Sequence, residues 1–578
     1  MPEAYRRSRG KKSRKPIVVK LIMAVILLML IFAAAGMPLI KRWLPSGEYK
    51  DLNEWFEVSG VQTKIYLDSE PEHEYTAVAY DGEVYLPYDY VFEKLNERFY
   101  WNENEQLLTY TLPDEVLDFS LQHDQDEAAG IIMSEEGPYI SLKLIEQYTN
   151  ISHTAFLTDA DGTEEAAKRV FIYHGGTGYD RARVKHNAKV RTAADKKAPI
   201  LADISKNEMV SVTETSAEWS RVITDSGFVG YIYDDKLQML GEEECLIIPD
   251  TYVEPTVPYV TMDEKVVMGW QAVYSNAANE NLEALYEGTG GAINVITPQW
   301  LQISGADGSL TDFSDREYVE KAHSLGLKVW ASVDNINQPG GVNDFSTRDF
   351  FADTEKRRGF IAVLMDKADE YGYDGFNLDF EGLPADAGQS FTQFFRELSV
   401  ECHKKGLALS IDNYVPYAYN DHYNLKEQGV FADYVIIMGY DEHTGSDIGP
   451  VASIGYTEYG ITEALKKVPA ERLMAAVPLY TRVWRTNDGV TTSEAMGIRE
   501  SEQYVSDNAI MLSWDEEAGA YYGETMIGTG QIQIWLEENE SLKLKTDKIR
   551  EYGLTGIAAW RLGFEPQDVW DVLDLNRE

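Results

Sequence analysis

The stretch Tyr373-Asp374-Gly375-Phe376-Asn377-Leu378-Asp379-Phe380-Glu381-Gly382 alternates polar or acidic side chains with large apolar ones. Read as a β-strand, it directs Asn377, Asp379 and Glu381 to one face and the intervening Phe and Leu side chains to the other. A strand with an apolar outer face and a polar inner face is typical of a β/α barrel, whose outer surface packs on helices. Glu381 then lies at the carboxyl end of the strand, where barrel enzymes build their active sites.

Residues 263–578 repeat the alternation of an apolar strand with an amphipathic helix eight times. The predicted strands are 266–270, 293–296, 327–330, 375–381, 407–410, 434–438, 473–477 and 556–560. One intervening helix has Phe391, Phe394, Phe395 and Leu398 at the spacing of a buried stripe. We therefore predict an α/β fold over 263–578, a (β/α)8 TIM barrel, with an α+β insertion after strand 7.

A small α+β domain is predicted at 50–180. The order strand, helix, strand, turn, strand runs from Val84 to Thr111 and recurs loosely from Tyr139 to Tyr173. This pattern resembles the domain named after the amino terminus of copper amine oxidases. No copper is implied, because neither copy clusters histidines. We interpret the segment as a spacer or wall-proximal module.

Residues 184–240 change to short strands separated by turns and resemble a bacterial SH3-like β-barrel. Trp219 and the pair Gly230-Tyr231 are its most specific marks. Two interpretations stay open at this point: the barrel binds wall peptide, or it is a spacer in which Trp219 fills the core. A linker with three prolines follows at 241–262.

Charge is distributed unevenly along the chain. Residues 1–20 carry eight Lys or Arg and one Glu, and we predict that they form a cytoplasmic basic tail. Residues 21–40 carry no charge and are long enough to cross a bilayer as a single-pass signal-anchor, with the catalytic part extracellular. A cleaved secretory signal is the alternative, because Ala33-Ala34-Ala35 lies near a plausible cleavage point and cleavage would release a secreted protein.

The main body of the chain is strongly acidic. The whole chain has a formal net charge of -44, so residues 43–578 carry about -53 once the basic amino terminus is set aside. This charge argues against nucleic acid or an anionic membrane surface as a partner of the main body. We therefore predict that the protein contacts the membrane only through its amino-terminal helix.

Asp379 and Glu381 are two residues apart on one strand, so their Cα atoms are about 6.5–7 Å apart on the same side. They cannot flank a glycosidic bond from opposite sides, as the usual pair of glycosidase carboxyls does. One acid with a neighbouring carboxylate fits a mechanism in which the 2-acetamido oxygen of the substrate attacks the anomeric carbon. Glu381 protonates the leaving oxygen and later activates water, while Asp379 orients the acetamido N–H and stabilises the oxazolinium ion.

The stretch from Asp374 to Glu381 resembles the DxxDxDxE signature of glycoside hydrolase family 18. Met438-Gly439-Tyr440-Asp441 is similar to the sixth-strand motif of that family, and Trp560 to the eighth-strand Trp beneath the -1 sugar. The resemblance implies that the Tyr440 hydroxyl contacts the acetamido oxygen. The predicted site has catalytic Glu381, Asp379 and Tyr440, and substrate-binding Asn377, Met438, Asp441 and Trp560. We predict neither a metal ion nor a cofactor.

Asn377 departs from the signature, because many chitinases have Asp at this position. An Asn can hydrogen-bond Asp379 but cannot share a proton with it, so we expect a different pH profile. This Asn and the sequence Trp560-Arg561-Leu562-Gly563 are similar to the branch of spore-cortex and cell-wall N-acetylglucosaminidases. Asp374 is off the alternation, and we predict a structural role for it.

The expected function is a membrane-anchored exported hydrolase that cleaves β-1,4 bonds after N-acetylglucosamine in peptidoglycan. One alternative is a chitinase or chitooligosaccharide hydrolase with the same chemistry. A second is a wall-glycan-binding protein without turnover, against which the intact Glu381 argues. The expected partners are a glycan containing N-acetylglucosamine and, through the SH3-like domain, wall peptide.

Overall fold

The computed structural model describes residues 19–27, 29, 44–121, 130–158, 167–336 and 346–577. The chain divides into two compact units. The first comprises Met1–Asn96 and Gln122–Glu254, and the second comprises Glu97–Leu121 and Pro255–Glu578. The second unit contains the predicted site.

The predicted anchor at 21–40 falls largely outside the described residues. Within it, residues 21–27 and 29 are helical with exposed side chains. In the part of the chain that the structure describes, no helix combines the length and apolarity needed to span a bilayer. The anchor and the basic tail therefore stay predictions.

The described residues of the first unit form two sheets, and one of them is built from the segments around 62–87 and 131–174. Its strands lie in the order Ile151–Phe156, Arg169–His174, Gln62–Leu67, Ala77–Tyr80, Glu83–Pro87, Gly137–Ser141 and Ile131–Ser134, and Glu70–Pro71 pairs with Gln62–Leu67. Short helices span Leu52–Phe56, Tyr88–Tyr90 and Leu142–Glu146, and a π-helical turn spans Val91–Leu95. The resemblance of this module to a copper amine oxidase domain stays a prediction.

The second sheet of this unit is the predicted SH3-like barrel. Its strands lie in the order Ile200–Ile204, Ala188–Arg191, Val229–Tyr233, Trp219–Thr224, Met209–Thr215, Gly178–Val184 and Leu237–Met239, and Leu246–Ile247 pairs with Gly178–Val184. Its core is formed by aliphatic side chains such as Val190, Val210 and Ile232. Trp219 is half-buried and packs edge-to-face on Tyr233 with ring centroids 5.3 Å apart. Trp219 therefore lies at the surface of this barrel.

The second unit is built on eight parallel strands. They are β1 (Val266–Gln271), β2 (Val295–Pro298), β3 (Lys328–Asp334), β4 (Gly375–Asp379), β5 (Ala408–Tyr414), β6 (Tyr434–Met438), β7 (Leu473–Pro478) and β8 (Gly556–Trp560). Each strand pairs with the next, and β8 pairs with β1, so the sheet closes on itself. The predicted TIM barrel is confirmed. A short antiparallel pair, Leu301–Ile303 and Leu310–Asp312, extends the sheet beside β3.

Helices follow the strands around the outside of the barrel. They are α1 (Leu282–Gly288), α2 (Arg316–Ser324), α3 (Thr347–Ala352), α4 (Thr354–Tyr371), α5 (Gly388–Lys405), α6 (Leu425–Phe431), α7 (Ile454–Ala464), α8 (Ile498–Asp507), α9 (Asn539–Glu551) and α10 (Trp570–Leu573). Helix α4 begins after Asp353, whose side chain accepts a hydrogen bond from the Lys356 amide, and ends at Gly372, which has φ 82°. This stop returns the chain to the sheet immediately before β4.

The two faces of β4 are those that the alternation predicts. Phe376 and Leu378 are fully buried in the layer between the barrel and its helices. Asn377 and Asp379 face the barrel interior, whose lower part is filled by a separate apolar cluster. That cluster contains Val266, Met268, Trp270, Val295, Trp330, Ala408, Tyr434, Ile436, Met474, Ala476 and Ala558. The lower interior is therefore a packed apolar core, and Asn377 and Asp379 lie above it toward the carboxyl ends of the strands.

The segment after β7 forms the predicted α+β insertion. Its antiparallel strands lie in the order Val490–Gly497, Tyr480–Asn487, Gly530–Leu536, Ala520–Ile527 and Leu512–Asp515, and helix α8 packs on them. The first strand of the insertion begins two residues after β7 ends. The insertion therefore rises directly from the catalytic end of the barrel.

Residues 97–121 belong to the barrel unit, although the sequence analysis placed them inside the module at 50–180. They form a three-stranded antiparallel sheet of Phe99–Asn102, Leu107–Thr111 and Val116–Ser120. Asn102 Nδ2 donates to the Ala352 carbonyl at 2.6 Å, and Gln393 Nε2 donates to Thr111 Oγ1 at 2.9 Å. The predicted linker at 241–262 is divided in a similar way, because the chain from Pro255 onward belongs to the barrel unit.

Candidate active site

Glu381 lies two residues beyond the end of β4, at the carboxyl-terminal rim of the barrel. The Tyr414 hydroxyl donates to Glu381 Oε2 at 2.7 Å. Asn335 fixes the backbone from the other side, because its Oδ1 accepts from the Glu381 amide and its Nδ2 donates to the Glu381 carbonyl, both at 2.9 Å. Residues from the ends of β3 and β5 therefore hold the acid in place.

The pKa of Glu381 is raised above its ordinary value. Burial is the main cause, the hydrogen bond from Tyr414 opposes it, and the charge of Asp441 adds to it. A carboxyl with a raised pKa keeps its proton at higher pH, as a general acid requires.

Asp379 is the innermost carboxyl of β4 and is 7% exposed. Burial raises its pKa well above the ordinary value, and the neighbouring charges of Asp412, Glu381 and Asp334 all act in the same direction. Its Oδ1 has no hydrogen-bond partner among the described residues. This oxygen is free to accept the N–H of a bound acetamido group.

Three aspartates form a row across β3, β4 and β5. Asp334 is the register partner of Asp379, and Asp412 comes directly after the paired residues Leu378 and Ile411. Asp334 and Asp412 are almost fully buried. Neither aspartate is among the site residues predicted from the sequence.

Asn377 lies one row deeper than these aspartates and is fully buried. Its amide nitrogen donates to Ser410 Oγ at 3.0 Å and to Asp412 Oδ1 at 2.9 Å, and its oxygen accepts from Trp270 Nε1 at 3.0 Å. Both amide hydrogens are thus used, so none is left for Asp379. An Asn at this position could hydrogen-bond Asp379, but the amide hydrogens of Asn377 bond to acceptors on β5 instead.

Tyr440, Met438 and Trp560 form the remaining inner surface of the site. Tyr440 follows β6 and packs against Tyr480 with ring centroids 6.2 Å apart. Burial raises its pKa well above the ordinary value, with further contributions from Tyr480 and the carboxylates, so its hydroxyl stays a donor. Trp560, at the end of β8, is half-buried and lies edge-to-face on Trp270. An exposed indole face of this kind suits a pyranose ring.

Asp441 lies at the rim with a left-handed backbone, φ 58°. Its Oδ1 accepts from the Tyr480 hydroxyl at 2.6 Å and from Arg482 Nη2 at 2.8 Å. Both partners belong to the insertion after β7. The insertion therefore positions one wall of the site, and the charge of Asp441 reaches Glu381.

Asp374 and three tryptophans contribute to the scaffold rather than to the site. Asp374 lies at the amino end of β4, where Lys328 Nζ and the Val329 amide donate to it at 2.8 and 2.9 Å. Trp300, Trp330 and Trp484 are fully buried. These contacts agree with the structural role predicted for Asp374.

The missed residues Asp334, Asp412 and Tyr414 lie at the carboxyl ends of β3 and β5. The predicted strands stopped at residues 330 and 410, whereas the observed strands continue to Asp334 and Tyr414. The alternation in Ser410-Ile411-Asp412-Asn413-Tyr414 has the same form as that of β4 and could have extended the prediction.

A parallel barrel with an acid at the end of β4, buried carboxylates beside it and an aromatic wall is an arrangement that suits a glycoside hydrolase. The chain belongs to the glycosyl hydrolases family 18, whose family model matches residues 267–565. A bacterial SH3 domain model matches residues 186–238, so the predicted SH3-like domain is confirmed. Its sheet also includes Gly178–Val184, which lies almost entirely before the predicted start at residue 184.

Relatives of this chain include bacterial glycosylases and cortical fragment-lytic enzymes. The "Uncharacterized glycosylase YvbX" of Bacillus subtilis is 24% identical over 43% of this chain and 74% of its own length. A "Cortical fragment-lytic enzyme" of the same organism is 25% identical over 38% of this chain, and the match spans 53% of that enzyme. The crystal structure of a chitinase from Chromobacterium violaceum has 22% identity and a TM-score of 0.49, over 54% of this chain and 100% of that one.

Proposed function

We propose that the chain is an exported glycoside hydrolase that cleaves β-1,4 bonds after N-acetylglucosamine in peptidoglycan, with the substrate acetamido group acting as nucleophile. The observation that carries the proposal is the arrangement of Glu381 and Asp379 on consecutive inward positions at the end of β4. Glu381 has a raised pKa, and Asp379 presents an unpartnered oxygen deeper in the barrel. One carboxyl therefore faces the leaving group while the other faces the substituent at C2.

Each group in the site has a defined task in this mechanism. Glu381 donates its proton to the glycosidic oxygen and then, as a carboxylate, removes a proton from the attacking water. Asp379 accepts the acetamido N–H and stabilises the positive charge of the oxazolinium ion. The Tyr440 hydroxyl donates to the acetamido oxygen, and Trp560 supports the apolar face of the sugar.

The SH3-like barrel supports a wall substrate. A cavity of about 650 Å³ beside Trp219 and Tyr233 is also lined by charged side chains of both signs, namely Lys189, Arg191, Lys196, Lys236, Asp195, Glu218 and Asp235. Aromatic side chains together with charges of both signs suit a short peptide that carries both amino and carboxyl groups. We propose that this cavity holds the stem peptide of the wall.

The location proposed for the protein rests on the amino-terminal sequence. The basic tail at 1–20 and the uncharged run at 21–40 favour a single-pass anchor with the hydrolase outside the cell. An anchor of this kind restricts the enzyme to wall near the membrane. Detection of the intact amino terminus in a washed membrane fraction tests this assignment, and a mature protein that begins after Ala35 would contradict it.

Acetamido participation is tested with aryl β-glycosides of N-acetylglucosamine whose acetyl group carries zero to three fluorine atoms. Fluorine withdraws electron density from the attacking carbonyl oxygen, so kcat/KM should fall steeply with each substitution. An enzyme that uses a carboxylate nucleophile would show little dependence. A flat series would therefore reject the proposed mechanism.

Substrate choice is tested by comparing reducing-end release from purified peptidoglycan sacculi with release from chitin oligomers. Peptidoglycan fragments that end in reducing N-acetylglucosamine are the expected products. Faster turnover of chitin oligomers would favour the chitinase alternative. Tight binding of both glycans without cleavage over a long incubation would favour a binding protein.

A further inference from the structure

Asp412 is a buried carboxyl inside the barrel to which the proposed mechanism assigns no task. It is 2% exposed and lies on the inner face of β5, directly after the in-register pair Leu378 and Ile411. Asp379 is the equivalent next residue on β4. Since adjacent strands are about 4.8 Å apart, the two side chains are neighbours at the same level of the barrel.

Each of these two carboxyls has one oxygen atom without a hydrogen-bond partner among the described residues. Asn377 Nδ2 donates to Asp412 Oδ1 at 2.9 Å and thereby fixes the orientation of that carboxyl. Asp412 Oδ2 and Asp379 Oδ1 are both buried without a hydrogen-bond partner among the described residues. Buried carboxyl oxygens without donors are costly, and a proton held between the two carboxyls provides a partner for each.

The surrounding groups favour one proton on this pair. Asp334 faces it from β3, Glu381 from the end of β4 and Tyr440 from the end of β6. Burial raises the pKa of Asp412 well above its ordinary value, Asn377 opposes the shift, and Glu381 adds to it. Two neighbouring carboxyls in such surroundings do not both ionise near neutral pH.

We propose, on the basis of the acetamido-assisted mechanism above, that Asp412 is a positioning residue that shares one proton with Asp379. Asp412 thereby supplies the proton-sharing carboxyl that Asn377, the neighbouring inward residue of β4, cannot supply. In the resting enzyme the proton lies between the two carboxyls. When the acetamido N–H binds to Asp379, the proton stays on Asp412 Oδ2, so Asp379 acts as a carboxylate and the pair keeps one proton throughout.

The dependence of kcat/KM on pH tests this proposal with an exchange of residues. Asp412→Ala removes the proton that Asp412 donates to the Asp379 carboxylate, so the pKa of Asp379 rises and the acidic limb should move to higher pH by about one unit or more. Asp412→Asn keeps an uncharged donor at this position and should leave the limb near its original pH. The double variant Asn377→Asp/Asp412→Ala restores a carboxyl on the neighbouring position and should return the limb toward its original pH, and Ser410→Ala, which removes an uncharged neighbour of Asn377, should leave the limb where it is. An acidic limb that moves to lower pH in Asp412→Ala would show that Asp412 is ionised and would overturn the proposal.

A second measurement needs no turnover and so separates this proposal from the proposed function. Infrared spectra of protein labelled with ¹³C at the aspartate carboxyl should show a protonated-acid band at pH 7 that is missing in Asp412→Asn. If the enzyme is active but the band is missing, the shared proton is rejected. If the band is present but the protein has no glycosidase activity, only the proposed function is rejected. If Asp412→Asn does not fold, as judged by its melting transition, the band of the unaltered protein and the double variant decide.

Discussion

Glu427 and Asp379 are both almost fully buried in the barrel unit, yet their pKa values shift in opposite directions. Glu427, on α6 in the helix layer, accepts hydrogen bonds from Arg396 Nε at 2.8 Å and from Arg98 Nε at 3.2 Å. These guanidinium groups overcome the effect of burial and lower the pKa of Glu427. Among the described residues, the charged neighbours that shift the pKa of Asp379 are the carboxylates Asp412, Glu381 and Asp334, and together with burial they raise it.

The helix layer and the barrel interior therefore treat buried charge differently. Outside the barrel strands, several buried carboxyls are paired with cations, as in Arg357 with Glu397 and Lys545 with Glu537. Inside, the row of Asp334, Asp379 and Asp412 gathers like charges. Ion pairs of the first kind belong to the structural scaffold. A cluster of like charges without counter-ions destabilises the fold, and such clusters indicate a functional site.

The largest effect is expected for Glu381→Gln, which keeps the shape of the acid but removes its proton. Loss of general-acid catalysis should lower kcat about 10³-fold or more, toward the upper end of what such groups contribute. The melting temperature should stay close to the original, since the Gln amide oxygen can accept the same hydrogen bond from Tyr414. The exposed Glu500→Gln on α8 is the matched control. Activity within tenfold of the original enzyme would show that another group is the acid.

Arg357→Met should affect stability rather than catalysis. Arg357 is fully buried, and its Nη2 and Nε donate to Glu397 at 3.0 and 3.1 Å. Removal of the cation leaves a buried carboxylate whose remaining cationic partner is Arg358 at 3.4 Å, so the free energy of unfolding should fall by about 3–5 kcal/mol. Urea denaturation measures this loss.

The double variant Arg357→Met/Glu397→Met is the control for that experiment. It removes both charges and should recover most of the lost stability, because well-packed apolar side chains replace a buried pair at little cost. kcat/KM of the folded protein should be unchanged in both variants. If Arg357→Met were as stable as the original protein, the pairing of buried charges in the helix layer would not stabilise the fold, and the contrast with the barrel interior would be wrong.

Tyr414→Phe tests how the hydrogen bond from Tyr414 affects the pKa of Glu381. The Tyr414 hydroxyl donates to Glu381 and holds the pKa of that carboxyl down against burial. Without this hydrogen bond the pKa of Glu381 should rise, so the protonated acid persists to higher pH and the basic limb of kcat/KM moves upward. The shift should be below about one pH unit, in line with roughly 1 kcal/mol for one hydrogen bond. A downward shift would mean that Tyr414 stabilises the protonated form instead.

The barrel and the acid could be predicted from the sequence because both depend on the local alternation of apolar and polar residues. Gly375 to Glu381 shows the two faces of a barrel strand, and the spacing of Asp379 and Glu381 follows from strand geometry alone. The partners of those residues come from other strands, and their positions depend on register. Ser410-Ile411-Asp412 shows the same alternation, yet only the pairing of β4 with β5 places Asp412 beside Asp379.

Residues 97–121 illustrate the same limit on a larger scale. The strands around Phe99 and Leu107 were predicted correctly, but they were assigned to the module in which they lie along the chain. Their packing is decided by distant partners such as Ala352 and Gln393, more than two hundred residues away. Local patterns predict the elements, whereas such contacts decide the unit to which they belong.

The smallest effect is expected for Lys466→Ala at the surface. Lys466 Nζ lies 2.6 Å from Glu463 Oε1, which is closer than the contacts between Arg357 and Glu397. The Lys466 side chain is 64% exposed, so solvent screens the pair and the free energy of unfolding should change by less than about 0.5 kcal/mol. Urea denaturation under the conditions used for Arg357→Met gives the comparison directly. If distance rather than burial controlled the strength of an ion pair, Lys466→Ala would be the more damaging change. A loss above about 1 kcal/mol would therefore contradict the contrast between exposed and buried charge.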